Sequence, residues 1–167
     1  EIRTGERERR GGLNIVSTYS VTVWIQLQAL AQVLLAMLLG AMIGFDREYY
    51  KKPAGLRTHM LVAGAAALIV NLSEIAVSGF GDLTTTGSLQ FDPIRVFVAV
   101  VTGVSFLGAG TIIRGDENRV EGLTTAASLL FAAVIGMGVA LSQYILATVL
   151  TVIAIVILWV LGKLERR

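Results

Sequence analysis

Five stretches of this chain each match the thickness of a lipid bilayer. An α-helix rises about 1.5 Å per residue, so roughly 20 apolar residues cross a hydrocarbon core of roughly 30 Å. Runs of that kind cover residues 21–45, 58–77, 93–113, 123–141 and 144–161. Backbone in lipid must satisfy its own hydrogen bonds, which leaves helices as the solution for runs of this length. The expected fold class is an all-α integral membrane protein with five transmembrane helices. Composition agrees. Of 167 residues 54% are hydrophobic, 16% are charged, and the mean hydropathy is +0.73, whereas soluble domains carry about 25% charged residues.

The domains follow from the runs: a charged N-terminal tail over 1–20, a membrane domain over 21–162, and a basic end over 163–167. The tail holds Arg3, Arg7, Arg9, Arg10 and Gly11-Gly12. It is too charged for a signal peptide and reads as a solvated lead-in, with an interfacial helix near its end as the alternative. The chain has no cysteine, hence no disulfide or thiolate metal site. A net charge of +2 gives no case for a nucleic-acid partner; the bilayer itself is the expected partner. Lysines and arginines sit at the membrane edges, as the positive-inside rule requires.

Small residues mark the helix contacts. Ala36, Gly40 and Gly44 repeat every four residues in the first run, and Gly64 lies in the second. Gly103, Gly108 and Gly110 crowd the third, and Gly136 lies in the fourth. Glycine weakens a helix by about 1 kcal/mol relative to alanine. Its use here predicts close helix approach, or locally opened backbone beside a polar cavity. Gln28 and Gln32, four apart, share a face and are expected to point into the bundle.

The candidate site lies where the first run ends. Asp46-Arg47-Glu48 is followed by a basic turn and Pro53, then by Arg57-Thr58-His59 at the start of the second run. Acids at a helix C-terminus oppose its dipole, so Arg47, Lys51, Lys52 and Arg57 are expected to compensate them. The cluster reads equally as a salt-bridged anchor or as a polar ion gate. His59, the sole histidine, is expected at the membrane entrance, where it is placed to sense pH or touch a ligand, with simple solvation the favoured reading. Asn71 lies inside the second span and is expected to bond across helices. Asp92-Pro93 is a helix-start signal, with Arg95 placed to pair with Asp92. Ser105, Thr124 and Thr125 complete the polar set. No Walker motif, no nucleophile with a partner base and no metal constellation is present, so no catalytic residue and no enzyme activity is expected. No cofactor is expected either; magnesium is considered only as a ligand or signal, and no metal ligands are assigned.

Topology follows from charge. The short connections at 46–59 and 114–122 hold Arg47, Lys51, Lys52, Arg57, Arg114 and Arg119, whereas the short connection on the opposite side has Arg95 alone; with the tail and the C-terminal end included the split is 9 against 5. The rule places the N-terminus outside and the C-terminus in the cytoplasm. A weak repeat accompanies this. Leu39-Gly40-Ala41 recurs as Leu107-Gly108-Ala109, and Gly55-Leu56-Arg57-Thr58 recurs as Gly122-Leu123-Thr124-Thr125. Two similar helical hairpins plus a fifth helix are expected, with the two charged connections close together.

The segments Gly40-Ala41-Met42-Ile43-Gly44-Phe45-Asp46-Arg47-Glu48, Pro53-Ala54-Gly55-Leu56-Arg57-Thr58-His59, Asp92-Pro93-Ile94-Arg95, Gly103-Val104-Ser105-Phe106-Leu107-Gly108-Ala109-Gly110-Thr111 and Gly122-Leu123-Thr124-Thr125 together resemble the MgtC/SapB family of bacterial inner-membrane proteins. The family usually has Glu where this chain has Asp46. The resemblance covers the membrane domain, without the C-terminal cytoplasmic domain that many members carry. It implies a multi-pass protein of the bacterial inner membrane, linked to magnesium-limited growth and virulence. It implies a small regulatory protein that docks to a larger membrane complex, with transport of magnesium or another small solute as the alternative. Self-association is expected on either reading. Transport of magnesium would need convergent oxygen ligands, and the sequence offers only amides and hydroxyls between the two charged ends.

Overall fold

The computed structural model describes residues 2–79, 92–114 and 120–164. Among them are helices α1 (Ile2–Tyr49), α2 (Leu56–Gly79) and α3 (Pro93–Thr111), strands β1 (Ile113–Arg114) and β2 (Val120–Glu121), then helices α4 (Leu123–Ala140) and α5 (Tyr144–Leu164). Four of these helices are long and apolar enough to cross a membrane: α1 over Thr22–Tyr49, α2 over Leu56–Val77, α3 and α4. In α5 the apolar stretch Tyr144–Val160 is slightly shorter. The expected readings of most of the 78–92 loop, the middle of the 114–122 connection and residues 165–167 lie outside the described residues.

The chain divides into two compact units, Glu1–Ala31 and Gln32–Arg167. In the first, helix begins at Ile2, so the stretch expected as a solvated lead-in is helical. Glutamate and arginine are good helix formers, and proline, the strongest breaker, first occurs at Pro53. The second unit holds the bundle.

Two helices end in the same way. The Lys51 N–H reaches the Glu48 carbonyl and the Lys52 N–H reaches the Arg47 carbonyl, while Lys51 turns left-handed at φ 53°. Ser142 (φ 60°) repeats this after α4, with Ser142 N–H to Val139 and Gln143 N–H to Gly138. Both are Schellman closures, which satisfy the last carbonyls of a helix. Helix α3 starts as its sequence predicts: Asp92 accepts from the Ile94 N–H at 3.0 Å, and Pro93 opens the helix. It ends two residues short of expectation. Ile112 and Ile113 leave the helix as extended backbone, and β1 pairs antiparallel with β2, Ile113 opposite Glu121. β-branched residues favour that pleated state.

The core runs along α4. Leu129, Ala132, Ala133, Ile135 and Val139 are buried there, against Ala63, Ala66, Ala67 and Val70 of α2 and Ala36, Leu39 and Ile43 of α1. Helix α2 packs extensively on α4. Lipid tails are as apolar as leucine, so close packing rather than water exclusion holds such helices together. Alanine and glycine supply it: a Cβ at Gly136 would strike the Ala63 carbonyl, and one at Gly40 would lie 2.6 Å from the His59 oxygen.

The repeat is visible in these contacts. Gly44 of α1 lies on Gly55 and Leu56, and Gly40 lies on His59. About 67 residues later, Thr111 lies on Gly122 and Gly108 lies on Ala126. The hairpins α1–α2 and α3–α4 therefore close at equivalent positions, and they meet through their second helices.

Candidate functional site: a buried arginine–histidine lock between the two hairpins

The end of the bundle where α1 turns into α2 carries the polar cluster. Glu48 explains itself first. Its Oε2 accepts the Leu56 N–H at 2.8 Å, so an acid at the end of α1 caps the start of α2. The unfavourable dipole of one helix is met by the favourable dipole of the next. This bond, rather than an ion pair with Lys51, Lys52 or Arg57, is what holds Glu48 in the described structure.

Arg47 turns inward and is only 5% exposed. Its guanidinium donates to Thr125 Oγ1 on α4 at 3.3 Å, tying the first hairpin to the second. His59 is fully buried, not in contact with water as its place in the sequence suggested. Two glycines account for this. With hydrogen alone at Gly40 and Gly44, α1 presses onto the backbone of His59, Leu56 and Gly55, and the imidazole is covered. Its Nδ1 lies 2.9 Å from the Gly55 carbonyl, which can only accept, so Nδ1 carries a hydrogen. Its Nε2 lies 3.0 Å from Ser128 Oγ on α4. The Ser128 hydroxyl also lies 2.9 Å from the Thr125 carbonyl. With one hydrogen to give, it donates either to a neutral imidazole or to Thr125, in the second case accepting from Nε2–H.

Asp46 is half-buried. Its Oδ2 is shielded from solvent and has no hydrogen-bond partner among the described residues. The remaining candidates do not converge on this cluster. Arg57, Thr58 and Thr124 are exposed. Asn71 is buried, but its amide donates to Ala67 of its own helix at 3.1 Å; among the described residues it makes no cross-helix bond, a carbonyl one turn back being its partner. Ser105 is exposed on α3. Asp92 and Arg95 pair with each other at 3.7 Å at the start of α3, with side chains 46% and 87% exposed.

Of the packing residues, Ala36, Gly40, Gly44, Gly108 and Gly136 are buried in contacts, and Gly64 meets Met37. Gly103 and Gly110 face open space.

Sequence reading assigned no role to Ser128 and no partner to Gln32. Ser128 is the partner of His59; its signal was the repeat, which places α4 beside α2 with this residue level with the histidine. Gln32 does point inward, donating to the Ala140 carbonyl, Ser142 Oγ and Tyr144 Oη at 3.0–3.3 Å. Gln28 is exposed, so the expectation held for one of the pair.

Chemically, Arg47, Glu48 and His59 are engaged with neighbouring helices and turns, while Asp46 Oδ2 is not engaged among the described residues. Among the described residues no group of three or more His, Asp or Glu side chains is placed to hold a metal ion. The described grooves are apolar, walled by Leu, Ile, Val, Ala and Phe with an occasional hydroxyl or amide.

The model of the MgtC family matches residues 33–167. The chain is 39% identical over 135 residues to a protein of Escherichia coli K12 named "Putative magnesium transporter YhiD", which covers 81% of this chain and 60% of that protein. It is 41% identical over 120 residues to Protein MgtC of Salmonella typhimurium LT2, covering 72% of this chain and 46% of that one. An uncharacterized Haemophilus influenzae protein is 32% identical over 145 residues, covering 82% and 60%. The chain thus spans between about half and three fifths of the length of these relatives. No solved structure matches it.

Proposed function

The chain belongs to the MgtC family, and from that premise we propose that it is a small regulatory protein of the bacterial inner membrane, serving adaptation to magnesium limitation and virulence. It acts by docking to a larger membrane complex and performs no catalytic step. Its N-terminus faces outward and the Arg47–His59 end faces the cytoplasm, following the excess of Lys and Arg in the connections there.

The observation that carries this reading is the engagement of the polar cluster. Glu48, Arg47 and His59 are each bonded to a neighbouring helix or turn. Asn71, Ser105 and Arg95 lie apart from them, and the described grooves are apolar. An ion path asks for the reverse: polar groups facing a connected void.

A transport reading rests on one feature, the shielded and unpartnered Asp46 Oδ2, and on the name of the Escherichia coli relative. The test is complementation. A strain lacking the gene is grown at low magnesium with wild type or Thr125→Val, while radioactive magnesium uptake is followed in the same cells. Rescue of growth by wild type with unchanged uptake supports regulation. Rescue that tracks uptake overturns it.

A further inference from the structure

The end of α1 has two opposite sides. Ala36, Gly40, Ile43 and Arg47 are buried against the bundle. About half a turn round, Leu34, Leu38, Met42, Phe45 and Tyr49 are 43–74% exposed, and spacings of three and four put them on one stripe. Any acyl chain covers such a stripe; what marks this one is how it ends. Tyr49 packs edge-to-face on Tyr50 at 5.1 Å, and tyrosines collect at the depth of lipid headgroups. Lys51 and Lys52 follow at once, and both are exposed.

These cations stand on an ordered frame. The Lys51 and Lys52 N–H groups close the end of α1. Ala54, 2% exposed, anchors the turn in the core. Glu48 Oε2 holds the Leu56 N–H at 2.8 Å and lies against Gly55, which brings the exposed Arg57 to the same turn. Lys51 itself is left-handed at φ 53°, where glycine or asparagine is the less strained residue. An exposed ammonium is kept there at a small conformational cost.

The acids of the turn leave these three cations unmatched. Glu48 is committed to the Leu56 amide, and Asp46 Oδ2 is shielded from solvent. Among the described residues Lys51, Lys52 and Arg57 enter no ion pair, whereas Arg95, at the other end of the bundle, is met by Asp92 at 3.7 Å.

We propose that the α1–α2 turn binds the headgroup phosphate of an anionic phospholipid, with Lys51, Lys52 and Arg57 around the phosphate and an acyl chain along the stripe that ends at Phe45 and Tyr49. Charge complementarity selects this occupant. A zwitterionic lipid covers the stripe equally well, but its own ammonium offsets the phosphate. An acidic protein segment matches the cations but leaves the adjoining apolar stripe unused. This goes beyond the regulatory reading and does not depend on it.

Quenching by brominated lipid tests the contact. Trp24→Phe and Trp159→Phe clear the background, and Tyr49→Trp places one fluorophore beside the turn. The full chain is reconstituted in phosphatidylcholine vesicles containing brominated phosphatidylglycerol or, in parallel, brominated phosphatidylcholine. Each cation near an anionic surface contributes about fivefold, so this reporter should favour phosphatidylglycerol by at least about tenfold. Lys51→Gln, Lys52→Gln and Arg57→Gln together should abolish the preference. All three side chains are exposed, so the variant keeps its fold. In protein that retains the three cations, raised sodium chloride should weaken the preference as well. Ile94→Trp, at an exposed position beside the Asp92–Arg95 pair, should report no preference. An undiminished preference in the triple variant, an equal preference at Ile94→Trp, or indifference to salt would each overturn the proposal. Loss of the preference to free inorganic phosphate at constant ionic strength would overturn it too, assigning the turn to a soluble anion. So would absence of any lipid preference while the triple variant fails to rescue growth at low magnesium, which would assign the turn to an acidic protein.

Discussion

Adding one methyl group to Gly136 is the sharpest perturbation of this bundle. The new Cβ would lie 2.9 Å from the Ala63 carbonyl carbon and 3.1 Å from its Cα, and closer still to the oxygen. These are backbone atoms inside α2, so no side chain can swing aside. Alanine's helix propensity favours the variant by about 1 kcal/mol. Overpacking a tight seam costs about 1–3 kcal/mol, and more where rigid elements must separate. The same seam holds the His59–Ser128 bond at 3.0 Å and faces the Arg47–Thr125 bond at 3.3 Å, and separation strains both. Gly136→Ala should therefore lose a net ~1–3 kcal/mol. Gly103→Ala, the identical chemical change where nothing lies within 4 Å, should gain about 1 kcal/mol in the monomer. Both are read by denaturant unfolding in detergent, at protein concentrations low enough to hold single copies. A Gly136→Ala variant as stable as wild type would refute the packing argument.

Three further outcomes follow from the polar groups. Thr125→Val removes the acceptor that Arg47 reaches and leaves a buried cation short of one bond; we expect a loss of about 1–3 kcal/mol in the same unfolding assay. Glu48→Ala removes the cap on α2 and should cost about 0.5–2 kcal/mol, whereas Glu48→Gln, which keeps an acceptor oxygen, should lose less than half of that; hydrogen exchange at the Leu56 amide reads the cap directly. Gln32→Leu removes bonds to three partners near the Tyr144 turn and should cost about 0.5–1.5 kcal/mol, with faster proteolysis at residues 141–143 as a second readout.

Much of the fold was legible because the bilayer restricts the alternatives. Runs of about 20 apolar residues have one common solution, and the boundaries of α2, α3 and α4 fall within about two residues of the hydropathy edges. Hydropathy says nothing about a charged helix, so helix was weighed only for the end of the tail, whereas it begins at Ile2. The repeat was legible as a recurring pattern of small residues, and its contacts follow the same offset. The site was legible in location but not in role. Glu48, Arg47 and His59 form a contiguous polar cluster in sequence, yet their partners Leu56, Thr125 and Ser128 depend on how closely two helices approach. That distance is set by Gly40, Gly44 and Gly136, whose effect appears only when the helices are packed. Burial of His59 is the clearest case: position along the span suggests water, and the glycines of a neighbouring helix exclude it. Asn71 is the reverse case, since a buried amide can bond to its own helix as well as to another.

Magnesium flux into liposomes separates regulation from transport most directly. Wild-type protein, purified and shown to be folded and inserted, is reconstituted beside Asp46→Asn and Glu48→Gln around a magnesium-sensitive dye. We expect no flux above that of empty liposomes from any of the three. Wild-type flux that both substitutions abolish would contradict the regulatory reading and make the Asp46–Glu48 cluster an ion site.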